Sequence, residues 1–144
     1  MGTVKNVFLI DDDATFVFLT KRIINTTGIL TNISEFCDGQ EAIQFLKANV
    51  NNVEVLPDII FLDLSMPIMD GWEFLEEYAL VEPQIKKGNR LYIFSSCISP
   101  HDIERAKQFS MVTDFIIKPL FKEKFIELIE NLSISGHTSQ LMKY

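Results

Sequence analysis

Four short apolar runs, each stopped by polar residues, constrain the fold of this chain more than any other feature. Val7–Ile10 ends at Asp11, Asp12 and Asp13; Ile59–Leu62 ends at Asp63; Leu91–Phe94 ends at Ser95 and Ser96; Phe115–Ile117 ends at Lys118. A run of this form is a parallel strand buried on both faces, stopping where its carboxyl end reaches the edge of the sheet. A weaker strand fits Asn32 to Cys37, which makes five.

Between the runs lie segments of helical period. Near the C-terminus Phe121, Phe125, Leu128, Ile129 and Leu132 share one face, and Lys122, Glu123, Lys124, Glu127 and Glu130 take the other. Three helix starts are written in local chemistry: Asp38 with Glu41, Asp70 with Glu73, and Ser99 with Asp102 each set a capping side chain three residues before an acid. Pro100 stands at the favoured first helical position. Strands alternating with helices predict an α/β fold, an open five-stranded parallel sheet with helices on both faces, and right-handed crossovers make it doubly wound. Ligands bind such folds beyond the carboxyl ends of the strands, so Asp11, Asp12, Asp63, Ser95 and Lys118 converge on one mouth. The reading is one domain over residues 1–133, with loose ends at the first few residues and in a tail, 134–144, that starts at about Ser133.

Several classes of function are excluded by composition. A net charge of −7 and a pI near 4.8 oppose non-specific binding to nucleic acid, which needs cations against phosphates. No apolar run approaches the roughly 20 residues of a membrane span, and the acids after Ile10 do not fit a cleavable leader. The expectation is a soluble, cytoplasmic protein. Cys37 and Cys97 have neither metal-ligand spacing nor the density of a disulfide scaffold and are read as free thiols.

Several carboxylates at one mouth repel each other and need raised pKa values or a cation. All-oxygen ligands favour a hard ion, and a site with few protein ligands suits Mg²⁺. With the Lys118 ammonium, the Ser95 hydroxyl and a carboxylate nucleophile, the set suits phosphoryl transfer, in which positioning and charge neutralisation dominate. The carboxylate ending the central strand, Asp63, is the natural acceptor, forming an acyl phosphate.

Ile10-Asp11-Asp12-Asp13, the segment Phe61-Leu62-Asp63-Leu64-Ser65-Met66-Pro67-Ile68-Met69-Asp70-Gly71, Phe94-Ser95-Ser96, and Phe115-Ile116-Ile117-Lys118-Pro119 resemble, in content, order and spacing, the receiver domains of two-component response regulators. The match covers roughly residues 4 to 133 and is nearest to the single-domain, chemotaxis-regulator type. The resemblance implies a flavodoxin-like receiver fold in which Asp63 accepts a phosphoryl group from a histidine kinase or a histidine phosphotransfer protein. It implies that Asp11, Asp12, Asp63 and the backbone carbonyl of Ser65 hold Mg²⁺, Asp12 being the closer of the first pair. It further implies that Lys118 pairs with the phosphoryl oxygens, that Ser95 moves to hydrogen-bond one of them, and that Phe115 swings inward behind it. A cis Lys118–Pro119 bond belongs to the same pattern. The surface so switched is the helix 100–109, the strand 112–117 and the helix 121–132, and it binds a downstream target protein, since the chain leaves no room for an output domain. Two departures stand out: Ser95 where Thr is commoner, and Phe115 where Tyr is frequent.

Two other functions share parts of the pattern. Asp11-x-Asp13-x-Thr15 resembles the first motif of haloacid dehalogenase-type phosphatases, but that reading needs an acidic pair after Lys118 and leaves Asp63 unexplained. A pseudo-receiver that binds partners without phosphorylation usually lacks part of the acidic cluster, the acceptor or the lysine, and none is missing. Asp13 is read as a helix cap without a metal role, Trp72 as packing, and His101 and His137 as solvent-facing.

Overall fold

A computed structural model describes residues 4–133 and 139–144. Strands β1 (Lys5–Ile10), β2 (Thr31–Phe36), β3 (Ile59–Leu62), β4 (Arg90–Ser95) and β5 (Val112–Ile117) alternate with helices α1 (Ala14–Thr26), α2 (Gly39–Ala48), α3 (Gly71–Val81), α4 (Pro100–Ala106) and α5 (Lys122–Asn131). All pairings are parallel, in the order β2-β1-β3-β4-β5, so β3 is central and the order reverses between β1 and β3. The sequence-predicted doubly wound sheet is the fold found.

The twofold alternation of strand side chains splits the core into two layers. Phe8, Ile10, Ile60, Leu62 and Ile93 pack with residues of α2, α3 and α4, whereas Val7, Leu9, Phe61, Tyr92 and Phe94 pack with residues of α1 and α5. β5 breaks strict alternation, because Leu91 pairs with Val112 while Tyr92 pairs with Asp114, leaving Thr113 as an extra residue. Such a bulge shifts the side-chain phase by one. It is the reason Val112 and Phe115, three positions apart, lie in the same layer.

Local capping follows the sequence. Asp38 accepts from the Glu41 amide, Ser99 from the Asp102 amide, and Asp70 forms a full capping box with Glu73. Three expectations need correction. Phe121 is not on the buried stripe of α5: it is the residue before the helix and is 64% exposed, while Phe125 and Leu128 carry the burial. The helix expected to reach Phe109 ends at Ala106, and the chain continues to Phe109 through a turn closed by Phe109 N–H to the Ala106 carbonyl.

The third correction concerns the tail. The described part of it, residues 139–144, is docked rather than loose. Leu141 is buried in the layer that holds Val112 and Phe115, and the Gln140 amide donates to the Thr113 carbonyl on the outer strand at 2.6 Å. His137 lies outside the described residues.

Candidate functional site

Three backbone hydrogen bonds carry the sheet ladder one residue past its strands and fix the mouth. The Asp11 amide donates to the Phe36 carbonyl at 3.0 Å, the Asp63 amide to Ile10 at 2.9 Å, and the Lys118 amide to Ser95 at 2.8 Å. Asp11, Asp63 and Lys118 therefore leave from backbone that the sheet's own ladder holds. Asp11, Asp12 and Asp63 each offer a carboxylate oxygen, and these oxygens lie within 4.8 Å of one another. Asp11 is buried, Asp63 half-buried and Asp12 exposed.

Lys118 enters the cluster from the β5 side. Its Nζ is 2.7 Å from Asp11 Oδ2 and 3.6 Å from Asp63 Oδ1, and the side chain is nearly covered. The ammonium also lies 4.5 Å from the ring centroid of Phe16 and 5.6 Å from that of Phe94, within cation–π range. Phe16 was not singled out in the sequence; the only signal for it is an apolar residue in the first turn of the helix that follows the acids.

One ammonium against three carboxylates leaves the cluster short of positive charge. Burial, then the Asp11 charge, push the Asp63 carboxyl up to about 6, with Lys118 and the Leu64 amide opposing. An all-oxygen donor set this crowded with like charge, in which the Asp63 carboxyl holds its proton more tightly than usual, fits a hard divalent cation. Asp13 stays outside the set: its Oδ1 caps α1 by accepting from the Thr15 and Phe16 amides at 3.0 and 3.2 Å.

The loop after Asp63 is built for its position. Ile68 has a φ of 67°, a left-handed backbone rare for a β-branched residue, and the Met69 amide closes a tight turn onto the Pro67 carbonyl at 2.7 Å. The Met69 carbonyl then accepts from the Gly39 amide at the start of α2. A Cβ on Gly71 would lie 2.5 Å from the Asp63 carbonyl oxygen, so only glycine lets α3 start this close to Asp63. Asp63, Ser65, Ser95, Ser96, Trp72 and Asp102 line an open cleft of about 400 Å³ beside the acids, with Ser65 exposed on its rim.

Ser95 hydrogen-bonds within its own loop. Its hydroxyl donates to the Cys97 carbonyl at 2.8 Å and accepts from the Cys97 amide at 3.3 Å. The Phe115 ring is 5% exposed, so any inward movement starts from a ring already buried. The Lys118–Pro119 bond is cis. Trp72 packs near Phe109 and under the Arg105 guanidinium, and His101 is exposed, as the sequence suggested for both.

A parallel β2-β1-β3-β4-β5 sheet bearing an acidic triad, a lysine and a hydroxyl at its carboxyl edge defines a phosphoryl-signalling domain of the doubly wound class. The family model for the response regulator receiver domain matches residues 7–130, and the chain belongs to that family. It is 27% identical to the chemotaxis protein CheY of Thermotoga maritima, over 90% of this chain and 98% of that one. A two-component response regulator from Cytophaga hutchinsonii superposes with a TM-score of 0.80 at 27% identity, covering 91% of this chain and 98% of the other. CheY in a CheX–CheY–BeF3–Mg complex from Borrelia burgdorferi gives 0.70 at 25%, over 91% and 90%. The chain is thus a CheY-like signalling receiver, not a classical enzyme, and neither the phosphatase nor the pseudo-receiver reading is favoured. Among the described residues no helix is long and apolar enough to cross a membrane.

Proposed function

We propose that Asp63 is the phosphoryl acceptor of this receiver and that the donor is a phosphohistidine on a histidine kinase or a histidine phosphotransfer protein. A carboxylate oxygen of Asp63 attacks phosphorus, the phosphorus–nitrogen bond breaks, and the departing imidazole nitrogen keeps the electron pair and takes a proton. Lys118, fixed between Asp11 and Asp63 and backed by the Phe16 and Phe94 rings, holds an ammonium where charge gathers on the phosphoryl oxygens. Mg²⁺ held by Asp11, Asp12, Asp63 and the Ser65 carbonyl would supply the remaining neutralisation. Ser95 would exchange its Cys97 carbonyl for a phosphoryl oxygen, passing the event to Phe115 and to the face of α4, β5 and α5, where a target protein binds. The free thiols of Cys37 and Cys97 support a cytoplasmic site of action.

The observation that carries this reading is the placement of Asp63. It ends the central strand, half-buried, within the acidic triad and 3.6 Å from Lys118. The test is intact-mass measurement after treatment with a small phosphodonor and Mg²⁺. One phosphoryl adduct is expected on the wild-type chain and none on Asp63→Asn, which keeps the side-chain shape without the nucleophile. An adduct that persists in the variant, or turns over through Asp11, overturns the assignment.

A further inference from the structure

Asp114 is an acid buried within β5, and the sequence gives it no role. Its partners include the neighbouring Phe115 amide, which donates to Oδ1 at 2.8 Å, and two side chains from the end of the chain. Lys143 Nζ lies 2.7 Å from Oδ2 and the Tyr144 hydroxyl donates to Oδ1 at 3.0 Å. A buried carboxylate deprived of such partners is costly, and Lys143 reaches Asp114 with a side chain that is itself half exposed. The same segment is held by three further contacts: buried Leu141, the Gln140 amide on Thr113, and the Lys107 ammonium on the Tyr144 carbonyl. The Tyr144 ring stands edge-on to Phe115 with centroids 6.1 Å apart. Beside it runs a groove of about 500 Å³ lined by Ile98, Ile103, Phe115, Ile117, Phe121 and Tyr144. Ile117 and Phe121 there are 60% and 64% exposed.

We infer that Gln140–Tyr144 is a displaceable occupant of the α4–β5–α5 face, keyed to Asp114, that favours the unphosphorylated arrangement and that a target protein must displace. The inference rests on the proposed phosphorylation of Asp63. The segment is fitted to a Phe115 ring on the strand paired with β4, whose last residue, Ser95, is bonded to the Cys97 carbonyl. A phosphoryl group that draws Ser95 away alters the packing around that ring, and a contact fitted to one arrangement binds the other less well. By reciprocity, a docked segment opposes phosphorylation to the same degree.

The Gln140 amide reports docking directly, through its bond to Thr113, and its hydrogen exchange is the readout. In the full chain, Lys143→Ala with Tyr144→Ala is expected to speed Gln140 exchange roughly tenfold, and Asp114→Asn to do the same, while the amides of β1 and β3 keep their protection. Beryllofluoride with Mg²⁺ should speed Gln140 exchange in the wild type, and the double variant should accept phosphoryl groups from a small donor faster than the wild type. Unchanged Gln140 exchange in both variants overturns the keying to Asp114. Unchanged exchange in a wild-type chain saturated with beryllofluoride overturns the coupling. If Asp63 takes no phosphoryl group by intact mass, the functional reading fails by itself, and the variant exchange rates still decide whether Asp114 holds the segment.

Discussion

At Asp63, burial and the Asp11 charge hold the carboxyl at about 6, above its ordinary 3.8. The folded chain then keeps a proton between about pH 4 and pH 6 that the unfolded chain releases, so without divalent cation the stability falls as pH rises through that window. A carboxyl so displaced is worth at most about 3 kcal/mol, and partial solvent access brings the expected effect to about 1–2 kcal/mol. Denaturant titrations in chelator should show Asp63→Asn gaining on the wild type by that amount from pH 4.5 to pH 7; parallel pH dependences would refute the assignment. Two other residues carry a prediction about how long a phosphoryl group on Asp63 would persist. Ser65 and Cys97, two positions after Asp63 and two after Ser95, are both exposed, and neither offers a charge or an amide to orient an attacking water. Slow self-dephosphorylation is expected, and Ser65→Asn with Cys97→Glu should shorten the adduct's lifetime severalfold, timed by intact mass after donor removal. An equal or longer lifetime would place control in the Ser95 rotamer.

Helix α3 owes its start to the Asp70–Glu73 capping box and to Gly71, and both were legible as D-G-x-E. The reason glycine is required was not legible, because the atoms a Cβ would strike belong to Asp63 and Leu64 on the preceding strand and loop. Both obstacles are backbone, at 2.5 and 2.8 Å, so no rotamer change relieves them. Gly71→Ala is expected to cost at least about 2 kcal/mol and to slow labelling of Asp63, since the strain moves the acceptor's own peptide. The control is Gly88→Ala, where nothing lies within 4 Å of the added carbon and the urea midpoint should barely change. Similar changes at both glycines would mean that the close approach to Asp63 and Leu64 does not set the cost.

For the whole molecule, the acidic triad is a concentration of like charge that the fold tolerates through rigid strand ends and one lysine. Binding of Mg²⁺ to the folded state alone should therefore raise the melting temperature by a few degrees at millimolar metal. Asp12, exposed and outside the core, is the residue whose replacement tests this without damage to the fold. Asp12→Ala should abolish the magnesium effect and melt no lower than the wild type in chelator. Strong stabilisation by zinc or calcium with none by magnesium would overturn the hard-ion reading.

Strand ends, helix caps and the mouth residues follow from local pattern, because burial on both faces and hydrogen bonds within a few residues act over short stretches of chain. Those stretches in Val7–Asp13, Ile59–Gly71, Leu91–Ser96 and Phe115–Pro119 determined the fold class and identified the residues that gather at the site. Tertiary structure alone decided the rest. The Thr113 bulge sets which way Phe115 points, the chain's own fold brings Phe16 over Lys118, and Asp114 is matched to Lys143 and Tyr144 across some 30 residues. None of these has a periodic or short-range signature. Each depends on partners brought together only when the sheet closes and excludes water.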